Sequence, residues 1–369
     1  MKSRAVFFFG VAALLLACGT LLLSQEKTSG PWIMQSSGTT AGLRGIHAVG
    51  GGVAWASGTG GTVLRTEDGG YMWQRCAMPP EAEKLDFRGI WAWDADTAVV
   101  MSSGPGDQSR IYKTTDGCSH WKLLFTNRDK DGFWDAMICQ DRRRGYLLGD
   151  PVGGRLVFLK TNDGGRTWTR SNAPGLEAGN GTIGAFAASN SSLLAGSQEP
   201  MLFGAAGGYI YALETVGNIS FPMRPGTPVT MHEQWTPFAT PLLGSGDTSG
   251  IFSLGYHTGN VHGYGYTLVA VGGDYTKPND TARTAAWSSD RKHWTAATRP
   301  PHGFRSAVEW DADAKAWIAA GTNGSDISYD DGKTWTSLDN GNWNALSLPW
   351  IVGPHGRIAR LDSKRLPKR

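Results

Sequence analysis

Five aspartates and three arginines of this chain recur at fixed places in repeated runs, and both residue types can do chemistry. Asp68, Asp116, Asp163 and Asp330 each take the third place of an eight-residue run that approximates S/T-x-D-x-G-x-T-W, at 66–73, 114–121, 161–168 and 328–335. Asp290 takes the same place in a shorter copy at 288–294, which lacks the glycine. A carboxylate can ligate a metal or act as an acid or base. Here, however, the same aspartate returns with every copy, and a residue repeated with the repeat usually serves the repeat. Asp and Ser/Thr side chains accept hydrogen bonds from nearby backbone N–H groups, and glycine supplies backbone angles that other residues resist. The run therefore reads as a structural turn between two strands. An ionised acceptor on backbone donors contributes roughly 1.5–3 kcal/mol, so Asp163→Ala is expected to cost stability.

The arginines point elsewhere. Arg44, Arg88 and Arg305 occupy equivalent places in GLRGI (42–46), DFRGI (86–90) and GFRSA (303–307), with Asp135 at the corresponding place in GFWDA (132–136) and Asn344 in the last repeat. Guanidinium groups present a planar fork to carboxylates, so this polar, mostly basic ring is expected to receive an acidic segment, a carboxylate or an anionic sugar. Asp107, Arg110, Asp150, Asp274, Tyr275 and Lys277 come from neighbouring Gly-rich turns. The alternative is that the three arginines pair with nearby aspartates and carbonyls and line a structural channel.

The elements that position these groups can be counted twice. Trp32, Trp73, Trp121, Trp168, Trp235, Trp294 and Trp335 lead similar strands. Their intervals of roughly 40 to 70 residues match a four-stranded propeller blade with two insertions. Apolar runs entering Gly-containing turns begin at Val53, Ala98, Gly145, Met201, Thr267, Ala316 and Pro349, which is again seven. The expected fold is all-β: a single seven-bladed β-propeller over 31–363, followed by a basic tail at 364–369. The last repeat, 344–361, lacks a Trp-led fourth strand and residues 32–35 supply one, so the N-terminal strand is expected to close the ring. Third-to-fourth turns then lie on one face. The arginines and second-to-third turns lie on the other, where the binding site is expected.

Composition bounds the partners. The chain has 369 residues, 51 glycines, 16 tryptophans and a formal net charge of +3. Without Lys2 and Arg4 that charge falls to +1, which gives no bulk case for nucleic acid. Residues 1–24 place those two cations before an apolar run, the layout of an export signal. Cys18 sits in a partial lipobox, LLACG, and the run is also long enough to remain as an anchor. A membrane tether and a periplasmic or outer-surface location follow as expectations. Cys76, Cys118 and Cys139 are odd in number with no C-x-x-C pair, so they are expected to be free, semi-buried thiols. His257 and His262 read as loop histidines rather than a metal pair. The fourth repeat, 212–241, is the most irregular. No cofactor is implied, and a monomer is expected.

The turn motif is known as the Asp-box. Together with GDPVGG (149–154), GIFSL (250–254), GGDY (272–275) and GTNGSDIS (321–328), it makes the chain resemble bacterial BNR-repeat proteins similar to the plant photosystem II stability/assembly factor. The resemblance covers nearly the whole mature chain. It implies a seven-bladed propeller outside the cytoplasm and a non-catalytic scaffold that binds a protein partner. Some relatives carry an oxidoreductase label. Gly58-Thr59-Gly60-Gly61 is a hairpin turn, not a dinucleotide loop, and gives that label no support. Sialidases share Asp-boxes, which makes a carbohydrate-active glycoside hydrolase the alternative. Their Arg-Ile-Pro motif does not occur here.

Overall fold

The computed structural model describes residues 30–179, 183–196, 201–217, 231–242, 244, 246–259 and 265–369. The 1–24 segment, with Cys18, lies outside them. Strand runs such as Ala98–Ser102 and Ala316–Gly321 are buried at every residue. Such runs are apolar on both faces because each sheet is covered by a neighbour on either side. Seven antiparallel four-stranded sheets result, forming seven blades of a propeller. The inner strands, numbered by blade from 1 to 7, are Leu43–Gly50, Phe87–Ala92, Trp134–Cys139, Leu193–Leu194, Ser249–Thr258, Ala307–Asp311 and Ala345–Ser347. Core side chains lie between successive blades. Trp55 and Val63 of blade 1, for instance, pack with Phe87, Val100 and Tyr112 of blade 2.

Blade 7 combines the two ends of the described chain. Its inner three strands are Ala345–Ser347, Trp350–Val352 and Ile358–Leu361, and Trp32–Gln35 pairs with the last of these, Trp32 opposite Leu361. Of the seven leading tryptophans, Trp32 opens its strand, while Trp73, Trp121, Trp168, Trp294 and Trp335 directly precede short outer strands. Trp235 departs from the expected pattern. It sits in the middle of Met231–Ala239, because the outer strand of blade 4 runs nine residues against Tyr209–Gly217. His257 also departs: it lies within the blade 5 inner strand, its ring stacked 3.9 Å from Trp310, rather than in a loop. His262 lies outside the described residues.

The expectation for the cysteines is corrected. Cys76 and Cys118 form a disulfide, their Cα atoms 5.3 Å apart across 42 residues. Cys76 follows the outer strand of blade 1 and Cys118 lies in the Asp-box of blade 2, so the ring makes neighbours of residues that sequence spacing separates. Cys139 stays free and buried, and burial pushes its thiol up to about 12.

Each box closes in the same way. The Asp163 carboxylate accepts from the Thr161 hydroxyl at 2.9 Å and from Thr167 N–H at 3.0 Å, while the Thr161 hydroxyl accepts from Gly165 N–H. Asp68, Asp116 and Asp330 repeat these bonds with Thr66 and Met72, Thr114 and His120, and Ser328 and Thr334. In the short copy Asp290 accepts from Ser288 and His293, and Arg291 takes a left-handed angle, φ 71°, as Cys118 and Asp331 do in two other boxes and glycines do in the rest. The Thr167 hydroxyl and N–H hold the Asp163 carboxyl at about 2. Burial opposes ionisation of Asp330, but the Thr334 hydroxyl and N–H and the Ser328 hydroxyl outweigh it and hold that carboxyl below its usual range. These folded-state values are depressed, so the stabilisation is present at neutral pH and is lost as pH falls below the carboxylate range. Water readily replaces the bonds of the more open Asp163. In equilibrium denaturation, Asp330→Ala is therefore expected to cost about 1 kcal/mol and Asp163→Ala less, below the range expected from sequence.

Candidate functional site

Inner strands enter at one mouth of the central channel and leave at the other. Near their starts, blades 1, 2, 3 and 5 each carry a register shift: between Leu43 and Gly45, Phe87 and Gly89, Trp134 and Ala136, and Ile251 and Ser253. A bulge re-aims the extra residue, which here is Arg44, Arg88, Asp135 and Phe252 in turn. The mouth holds a cavity of about 380 Å³ lined by Arg44, Arg88, Phe186, Phe252, Phe304 and Tyr275, with Asn344 also on its wall. That volume lies in the range of small-ligand pockets.

Two arginines share one carboxylate. Arg88 Nε donates to Asp86 Oδ2 at 2.8 Å, and Arg44 Nε lies 3.7 Å from the same oxygen. Arg88 Nη1 also donates to the carbonyl of Ala187 at 2.9 Å. Burial first, then repulsion by Arg88, lower the Arg44 pKa against the pull of Asp86. Among the described residues Asp86 Oδ1 is buried without a hydrogen-bond partner. Asp135 is 2% exposed, and its Oδ2 also has no partner among the described residues. Burial, then Asp150, drive the Asp135 pKa well above the carboxylate range, and Arg88 only partly offsets this. Burial raises the Asp150 pKa too, although Ala185 N–H donates to it. Burial thus disfavours the charged form of Asp135, and the two guanidinium groups face the single carboxylate of Asp86.

One wall is aromatic. Phe186 stacks on Phe252 with centroids 3.7 Å apart, and Phe304 meets Phe252 edge-on at 4.7 Å. Tyr275, 50% exposed, stands at the rim 6.2 Å from Phe252. The arrangement can hold a negative group on the guanidinium pair and an apolar group against the rings.

Of the other residues singled out from sequence, Tyr275 and Asn344 share the cavity with this pair, whereas Arg305, Arg110, Asp274 and Lys277 are not on its wall. Arg305 is fully buried and turned away from the cavity. Its Nε donates to Asp326 Oδ2 at 2.6 Å, Nη2 pairs with the same carboxylate, and Nη1 donates to the carbonyl of Phe304 at 2.6 Å. The equivalence in sequence is real along the backbone but does not extend to the side chain, so the ring has two arginines at the cavity rather than three. Arg110 pairs with Glu81 at 3.3 Å and donates to the carbonyl of Asp107. Asp274 holds Thr276 and lies 3.4 Å from Lys277. Asn344 donates to the carbonyl of Leu43 at 2.7 Å. Sequence reasoning missed Asp86, Phe186, Phe252 and Phe304. Phe252 was findable, because GIFSL aligns with GLRGI and places it opposite Arg44. Phe186 has no such signal, since the blade 4 inner strand is only two residues long.

A larger groove, about 680 Å³, runs between the outer parts of blades 3 and 4. Its cations are already matched, Lys160 by Glu233 and Arg170 by Asp129.

The fold and the cavity define a class: a seven-bladed propeller with a ligand-sized, cationic and aromatic cavity at one channel mouth. No family model and no curated protein matches the sequence. Among solved structures, the chain is similar to YCF48 bound to a D1 peptide, with TM-score 0.56 and 15% identity over 90% of this chain and 96% of that one. It is similar to YCF48 from Cyanidioschyzon merolae, with TM-score 0.56 and 17% identity over 90% and 99% of the two chains. The extracellular domain of the putative hybrid two-component system BT4673 from B. thetaiotaomicron gives TM-score 0.58 and 13% identity over 90% of this chain and 40% of that one. At these identities the likeness shows the fold.

Proposed function

We propose that this protein is an exported, non-catalytic propeller scaffold that binds a protein partner through an acidic or carboxylate-bearing segment at the arginine mouth. The observation that carries this reading is Arg44 and Arg88 sharing the single carboxylate of Asp86 in an open cavity with a wall of three phenylalanines. A YCF48 protein with a bound peptide on a similar fold supports a peptide as the ligand class. The Cys76–Cys118 disulfide supports an oxidising compartment outside the cytoplasm. Among the described residues no helix is long and apolar enough to cross a membrane, so a membrane tether would have to come from the N-terminal segment.

The test is charge reversal of both arginines, Arg44→Glu with Arg88→Glu. Capture of partners from the native membrane and fluorescence anisotropy with a panel of labelled acidic peptides are both expected to fall at least about tenfold, the loss of roughly 1.4 kcal/mol or more of binding. Thermal melting, recorded in parallel, is expected to fall modestly while the fold persists, because Arg44 pairs weakly but Arg88 holds both Asp86 and the carbonyl of Ala187. Unchanged capture by the folded variant would discard the reading, and turnover of a glycoside by the wild type would replace it.

A further inference from the structure

At the opposite mouth, where inner strands end and the Asp-box turns lie, a second cavity of about 400 Å³ is lined by His47, Trp91, Tyr256, Glu309, Trp310 and Ser347, among others. No lysine or arginine lines it. The Glu309 carboxylate accepts one hydrogen bond, from Leu348 N–H to Oε2 at 2.8 Å, and no described cation pairs with it. Both imidazoles at this mouth are committed. His47 lies 4.3 Å from the Trp91 ring and accepts from Ala92 N–H, and burial lowers it to about 4. His257 lies on Trp310 and is also lowered by burial. Glu309, half-buried in the cavity wall, is thus a carboxyl that can take up charge here, where leaving it unpaired is costly.

We propose that this mouth is a second ligand site, one that takes a primary alkylammonium group with Glu309 as counterion and the Trp91, Tyr256 and Trp310 rings as walls. Three reasons select a cation. The lining offers a carboxyl without a counterion, the electron-rich faces of indole and phenol attract ammonium groups, and the lining holds no positive charge to oppose one. The channel then has mouths of opposite preference, with anions drawn to Arg44 and Arg88 and cations to Glu309. Burial, and to a smaller degree Asp311, push the Glu309 carboxyl up to about 8, so at pH 7 the empty site is mostly protonated. Docking an ammonium group favours the carboxylate and releases that proton. The other titratable groups at the site are Tyr256 in the wall, Asp311 two residues along the strand, and His47 and His257, whose charged forms burial disfavours.

The test is calorimetric titration of the full-length protein with n-butylammonium and with a blocked Gly-Lys-Gly peptide. Pentanol and the norleucine peptide serve as neutral counterparts. Both cations are expected to bind saturably, at least tenfold more tightly than their counterparts. Titrations at pH 7 in two buffers of different ionisation enthalpy should reveal proton release. Glu309→Gln, which keeps an oxygen for Leu348 N–H, is expected to weaken binding at least tenfold, whereas the Arg44/Arg88 double variant should bind ammonium like the wild type. Tighter binding of the lysine peptide would identify a protein side chain as the natural occupant, and tighter binding of butylammonium a free amine. No saturable binding, equal binding by the neutral counterparts, or binding without proton release overturns the proposal. The last readout uses the wild type alone and holds even if Glu309→Gln fails to fold.

Discussion

Replacing Arg305 with methionine is expected to destabilise the protein by about 3–5 kcal/mol in equilibrium denaturation, the usual cost of breaking a buried ion pair from one side. Arg305 has 0% and Asp326 1% side-chain exposure. The guanidinium also satisfies the carbonyl of Phe304 and the side-chain oxygen of Asn323. Without it, the Asp326 carboxylate is left buried with only the His302 ring and backbone N–H beside it. Most of the loss comes from that uncompensated charge rather than from the missing attraction. Replacing both partners, Arg305→Met with Asp326→Leu, should therefore recover a large part of it. Arg44→Met, taken from the equivalent backbone position, should cost less than about 1 kcal/mol because its carboxylate lies farther off and water reaches both groups. If Arg305→Met and Arg44→Met denature alike, the division of the arginines into one structural and two ligand-facing residues is wrong.

Trp235→Ala is expected to cost a similar amount, about 3–5 kcal/mol, through the cavity it leaves. The indole is fully buried and lies 4.8 Å from Phe158 and 4.9 Å from Phe203, joining the outer hairpin of blade 4 to the blade 3 sheet. Gly175 is held against this strand so closely that a Cβ there would lie on the carbonyl of Trp235, so neighbouring backbone has little room to close the void. Trp235→Phe should recover much of the loss, since the indole N–H has no partner among the described residues to forfeit. Trp294→Ala, at a half-buried position in blade 5, should cost distinctly less. Chemical denaturation monitored by near-UV circular dichroism orders the three variants, and an Ala variant at Trp235 no weaker than that at Trp294 would contradict this packing.

The amino-acid sequence by itself determined the repeat, the blade number and the Asp-box turns. These features are local. The bonds that shape a box join residues two to four apart, such as Thr161 with Asp163 and Asp163 with Thr167, so their spacing is written directly into the chain. The backbone equivalence of Arg44, Arg88, Asp135 and Arg305 was legible for the same reason. Only the tertiary structure decided where those side chains go. Arg88 meets a carbonyl 99 residues away, while Arg305 turns to Asp326 on the third strand of its own blade. The Cys76–Cys118 bond, the phenylalanine wall and the unpaired Glu309 likewise depend on which strands closure of the ring brings together. Burial then assigns the chemistry: a guanidinium or carboxyl of one type becomes a structural pair where water is excluded and a ligand group where a cavity admits it.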